Sequence, residues 1–140
     1  MADNISKLRR SENMRRIRAK DTKAELVVRK LLHRNGFRYV LHDRRLPGTP
    51  DIVLPRLKAA IQIRGCFWHG HTCLDGHIPK SRNKYWVPKL LGNKARDKRN
   101  DRRLRRLGWR LLIVWECKTD QSRLSDLTDR LSSFVNRSLR

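Results

Sequence analysis

Pro47-Gly48-Thr49-Pro50-Asp51-Ile52-Val53-Leu54-Pro55, followed three residues later by Ala59-Ala60-Ile61-Gln62-Ile63, decides how this chain folds. A turn-forming cluster opens a short apolar strand, a second proline closes it, and the next apolar run has the character of a central strand. Upstream, Phe37, Tyr39 and Leu41 alternate as in a strand. Further back, Ala24, Val27, Val28, Leu31 and Leu32 recur at helical spacing, with Asp21 or Thr22 as cap, Glu25 in the first turn and Asn35-Gly36 as the stop. Downstream, a loop rich in His, Cys and aromatic residues runs from Gly65 to about Asn83, and a basic helix follows from Tyr85 to about Leu107. Gly108 ends that helix, Arg110 to Trp115 reads as a buried strand, and Leu124, Leu127, Leu131, Phe134 and Val135 mark an amphipathic helix. The order predicts one α/β domain over residues 21–140, a mixed central sheet flanked by helices, preceded by a basic arm over residues 1–20.

The 140 residues include 35 Lys and Arg against 13 Asp and Glu, a formal charge of +22. That length suits a single domain, and 38% hydrophobic residues gathered in distinct runs exclude wholesale disorder. No apolar run nears the ~20 residues of a bilayer span, and MADNISKLRR lacks the apolar stretch of a secretory signal, so a cytoplasmic protein is expected. Charge of this size repels itself in a compact state and points to a polyanionic partner. Nucleic acid fits better than a membrane surface, because the basic residues do not back a broad apolar helix face. They concentrate in the arm, which includes Arg15 and Arg16, and between Pro79 and Arg110, where 13 Lys and Arg meet two Asp. Lys89 and Lys94 in that stretch are candidate phosphate contacts. Cys66, Cys73 and Cys117 are an odd set, which argues for reduced thiols used in packing or metal binding.

Cys66-Phe67-Trp68-His69-Gly70-His71-Thr72-Cys73, with Cys117 beyond the last strand, offers the mixed Cys and His donors of a structural zinc site. Cys66, His71, Cys73 and Cys117 complete a tetrahedral set, with His69 or His77 as substitutes; the competing reading makes the cysteines packed hydrophobes and the histidines DNA-facing donors. Asp51 sits where a carboxylate emerges from a strand start, and with Glu25 it offers oxygen ligands for Mg²⁺, although an Asp after Pro also serves as a turn residue. On a phosphodiester substrate, His69 is the best-placed proton acceptor. Phe67, Trp68, Tyr85 and Trp86 lie among cations and suit stacking on bases or wedging between base steps, with core packing as the alternative.

Arg9 to Glu25, Leu46 to Pro55, Gly65 to Cys73 (GCFWHGHTC), Tyr85 to Asp97 and Leu107 to Cys117 (LGWRLLIVWEC) together resemble the very short patch repair endonucleases of bacteria. The resemblance implies a restriction-endonuclease-like fold and nicking of one DNA strand beside a T·G mismatch left by deamination of 5-methylcytosine. It makes Asp51 the Mg²⁺ ligand, joined by the backbone carbonyl of Ile63, with Glu25 an active-site acid and His69 the histidine that activates water. It makes Cys66, His71, Cys73 and Cys117 the zinc ligands, Phe67, Trp68 and Trp86 the DNA wedges, and Met14 part of an arm that grips the duplex from the other groove. Repair proteins are implied as partners, and one active site for one nick suits a monomer.

The chain departs from this pattern at Ile63, where a small polar residue is usual, and at Arg64, where a His is usual. A guanidinium is no base near neutral pH but binds phosphate oxygens bidentately, so Arg64 is expected to stabilise charge on the scissile phosphate. Two other readings remain at this point: a mismatch-binding protein of the same fold that does not cut, and a nuclease that cuts both strands of intact sites.

Overall fold

A computed structural model of the chain describes residues 22–66 and 83–138. The first helix, α1 (Lys23–Arg34), is capped by the Thr22 hydroxyl, which accepts the Glu25 backbone N–H at 3.2 Å. It ends at Gly36, whose φ of +79° lets Phe37 N–H reach back to the Leu32 carbonyl. Four strands follow around the second helix: β1 (Val40–Leu41), β2 (Ile52–Leu54), β3 (Ala59–Arg64), α2 (Asn83–Arg106), β4 (Arg110–Trp115) and then α3 (Leu124–Ser138). Gly108, at φ +89°, closes α2 in the same way, with Trp109 N–H returning to the Leu104 carbonyl.

The sheet order is β1-β2-β3-β4, antiparallel for the first two pairs and parallel for β3 with β4, so it is a mixed sheet. A parallel pair needs a long crossover, and α2 supplies its described part. Period-two alternation separates the two faces. Ile52, Leu54, Ala59, Ile61 and Val114 join Val28 and Leu32 of α1 and Leu127, Leu131, Phe134 and Val135 of α3 in one buried cluster. Gln62 and Arg64 alternate with these and belong to the other face, where Arg64 meets α2. The α/β expectation holds.

Two boundaries differ from the sequence reading. The strand expected over Phe37 to Leu41 is only Val40–Leu41, because Phe37 N–H is consumed by the helix stop and β2 offers only three residues to pair with. Asp51 is a bend just before β2 rather than its first residue.

Candidate active site

Asp51 is placed by its neighbours on the sheet. Its Oδ2 accepts the Ile63 backbone N–H at 2.8 Å, which pins the carboxylate to the end of β3, while Asp51's own carbonyl accepts the His42 N–H at 3.0 Å. Glu25, from the first turn of α1, reaches the same place and is almost fully buried. His42 lies between the two acids. Its Nε2 is 3.2 Å from Glu25 Oε2 and its Nδ1 is 3.8 Å from Asp51 Oδ1. Arg29, one turn after Glu25, pairs with Glu25 Oε2 and brings Nη2 to 3.3 Å from His42 Nε2. Donor atoms of Glu25, His42 and Asp51 all lie within 4.8 Å of one another, a spacing that one divalent ion can span.

Burial above all, then the Glu25 carboxylate, raises the Asp51 carboxyl to about 7 against the pull of the Ile63 N–H and the Arg64 charge. The two acids share one nearby guanidinium, that of Arg29, which pairs with Glu25, and a metal ion would add positive charge that both carboxylates can use.

Beside Asp51 a groove of about 230 Å³ runs between β3 and α2, lined among others by Gln62, Arg64, Asn93, Arg96 and Asn100. Arg64 forms its wall and is buried, with Nη2 2.6 Å from Asp101 Oδ1 and Nε 3.8 Å from Asp97 Oδ2. Asp97 and Asp101 are the only acids in α2, and both turn onto this arginine. The rest of the helix is left overwhelmingly cationic.

Of the residues singled out in the sequence, Asp51, Glu25 and the Ile63 peptide come together, and Arg64 stands next along β3. Cys66 and Cys117 also meet: the Cys117 backbone N–H donates to Cys66 Sγ at 3.4 Å. The parallel register pairs Arg64 with Trp115, so each cysteine lies two residues beyond its strand end. Trp86 is 3% exposed, packed edge-on against Tyr85 with centroids 4.7 Å apart, and Tyr85 is the exposed ring of the two. Lys94 is exposed, and Lys89 stands 5.5 Å over both rings. Met14, Arg15, Arg16, Phe67, Trp68, His69, His71 and Cys73 lie outside the described residues.

Sequence reasoning missed His42, Arg29, Asp97 and Asp101. The signal for His42 was present in the strand pairing, since Leu41 opposite Ile52 sets residue 42 opposite residue 51. Its backbone is left-handed, at φ +50°, a conformation that costs a non-glycine residue energy and that here ends β1 beside the acids.

Comparison with known proteins places the chain in a family. Residues 2–75 match the family described as DNA mismatch endonuclease Vsr. The DNA mismatch endonuclease Vsr of Escherichia coli is 41% identical over 96% of this chain and 88% of its own length. The chain belongs to the Vsr family. It is therefore a DNA endonuclease that nicks a strand in very short patch mismatch repair. Vsr relatives include the type II nicking enzyme V.XorIIP of Xanthomonas oryzae, 46% identical over 97% of this chain and 98% of that one. The nicking enzyme V.NmeAIP of Neisseria meningitidis is 45% identical over 84% of each chain. The catalytic domain of the homing endonuclease I-Bth0305I superposes with a TM-score of 0.58 over 86% of this chain and all of that one, at 19% identity, and so shares the Vsr fold seen here. No helix among the described residues is long and apolar enough to cross a membrane.

Proposed function

We propose that the chain hydrolyses one phosphodiester beside a T·G mismatch in duplex DNA, with Mg²⁺ held by Asp51, Glu25 and the Ile63 carbonyl, and acts as a monomer. The observation that carries this reading is the Asp51 carboxylate pinned to the Ile63 peptide with Glu25 alongside, at the head of a polar groove walled by the basic helix α2. The donor set fits a divalent ion, being mostly oxygen and close-spaced, with the Asp51 carboxyl raised by burial and by Glu25. Such an ion supplies Lewis-acid polarisation of the phosphate and a more acidic bound water.

The chain's own residues do the remainder. Ile63 N–H fixes one oxygen of Asp51 and leaves the other facing His42 and Glu25. His69 accepts the proton of the attacking water. Arg64, oriented by Asp101 and Asp97, presents fixed positive charge on the groove wall towards the scissile phosphate. The cations of α2, Lys94 and Lys89 among them, and Arg15 and Arg16 of the arm neutralise flanking phosphates. Phe67 and Trp68 wedge at the mismatch, Trp86 backs the exposed Tyr85 at its edge, and Met14 contacts the opposite groove. Structural Zn²⁺ is held by Cys66, His71, Cys73 and Cys117; the N–H donated to Cys66 Sγ suits a thiolate ligand, since such bonds stabilise charge on sulfur. Repair proteins that process the nick are the expected partners, in the cytoplasm of a bacterium.

The test is strand-resolved cleavage of an end-labelled duplex with one central T·G pair, beside its T·A control, in Mg²⁺ or EDTA, for wild type and Asp51→Ala. Nicking of the T strand that needs mismatch, Mg²⁺ and Asp51 together is the expected result. Equal cutting of the T·A control would refute the specificity, and cutting by Asp51→Ala would refute the site.

A further inference from the structure

We propose that His42 is a nitrogen ligand of the ion bound by Asp51 and Glu25, and that this makes the site favour Mn²⁺ and later first-row transition ions over Mg²⁺. The inference rests on the metal site proposed above and concerns its selectivity.

The argument starts from the strand pairing. Leu41 opposite Ile52 brings residue 42 level with Asp51, and the His42 N–H to Asp51 carbonyl bond at 3.0 Å continues that ladder by one step. There the backbone leaves the sheet in a left-handed turn, and the imidazole lies between the acids, 3.2 Å from Glu25 and 3.8 Å from Asp51. A metal ion within reach of both carboxylates is thus also within reach of a ring nitrogen. Arg29 pairs with Glu25 and brings Nη2 to 3.3 Å from His42 Nε2, so a cation bound by the three side chains would share the charge balance of Glu25 with this guanidinium.

Chemistry then sets the preference. Mg²⁺ is small, hard and keeps oxygen ligands and water, whereas imidazole nitrogen suits first-row transition ions. A His-Glu-Asp donor set is therefore mixed, and replacing one oxygen by nitrogen costs Mg²⁺ more than Mn²⁺.

The full chain, passed through chelating resin, is titrated with Mn²⁺ and separately with Mg²⁺, and the bound Mn²⁺ is examined by pulsed electron paramagnetic resonance for coupling to directly bound ¹⁴N. Comparison is with His42→Asn and His42→Gly, both of which tolerate the left-handed backbone, and with Asp51→Asn. Wild type is expected to show the nitrogen coupling and to bind Mn²⁺ at least tenfold more tightly than Mg²⁺. Both His42 variants should lose the coupling and most of that preference, while their far-ultraviolet circular dichroism stays unchanged. Absence of the coupling in wild type, or its persistence in both His42 variants, overturns the proposal and leaves the Asp51–Glu25 site standing. Mn²⁺ binding to Asp51→Asn as tight as to wild type would instead remove the site itself.

Discussion

Two charge clusters at neighbouring points of the sheet are built from the same parts with opposite outcomes. At Arg64, two carboxylates from successive turns of α2 close on one guanidinium, and every group finds its partner within the protein. At Asp51, two carboxylates from α1 and the start of β2 share an imidazole and the edge of Arg29, and burial leaves the Asp51 carboxyl raised to about 7. The first cluster fastens the cationic helix to the sheet. The second gathers donor atoms that one divalent ion can span. One residue of β3 separates them, since Ile63 N–H holds Asp51 and Arg64 holds Asp101. A site of this kind needs both: donor atoms gathered where an ion can bind, and a fastened frame immediately behind them.

The contrast breaks most visibly at Asp51. Asp51→Asn removes the charge that draws the ion while keeping the shape, and should lower the nicking rate about a thousandfold or more with duplex binding nearly intact. Single-turnover cleavage beside an electrophoretic binding assay measures both. Arg64→Met should lower the nicking rate by removing the charge set towards the scissile phosphate, and should also cost about 3 kcal/mol of stability, because it strands Asp101 and Asp97 without their counter-charge. Adding Asp101→Leu should recover part of that loss in urea unfolding, whereas no second substitution in α2 should rescue Asp51→Asn.

A third expectation concerns pH in the metal-free protein. A carboxyl raised from 3.8 to about 7 contributes stability that is fully present below 3.8 and lost as pH rises through about 7. The thermal midpoint in EDTA should therefore fall between pH 5 and pH 8, and Asp51→Asn should flatten that fall. The smallest effect belongs to the exposed cations: Lys94→Ala should weaken binding about equally for matched and mismatched duplex and reduce the salt slope by about one.

The sequence was informative about elements and about acids, and less so about partners. The three helices, the two interior strands and β4 follow from periodicity and from Pro and Gly punctuation, as do Asp51 and Glu25 as candidate ligands, although β4 is an edge strand buried only at Val114 rather than the buried strand expected. The short β1 was overextended because alternation at Phe37, Tyr39 and Leu41 reports partial burial against the core, which those residues have without being laddered. His42 was passed over because its role depends on strand register, and register is fixed by pairing across a turn rather than by any local pattern. Asp97 and Asp101 read as two isolated acids in a basic run; only their i,i+4 placement against a buried arginine gives them a purpose.

The parallel pairing of β3 with β4 joins residues 51 positions apart along its whole length, from Ala59 with Arg110 to Arg64 with Trp115. Contacts so distant along the chain form late, because the intervening loop must close before they repay its lost entropy. Ile63, Arg64, Cys66 and Cys117 all sit on or just past this seam. A nascent or partly unfolded chain can therefore possess its helices and its β2–β3 hairpin without the anchored end of β3 that orients Asp51. DNA-cutting capacity then appears only with the completed fold.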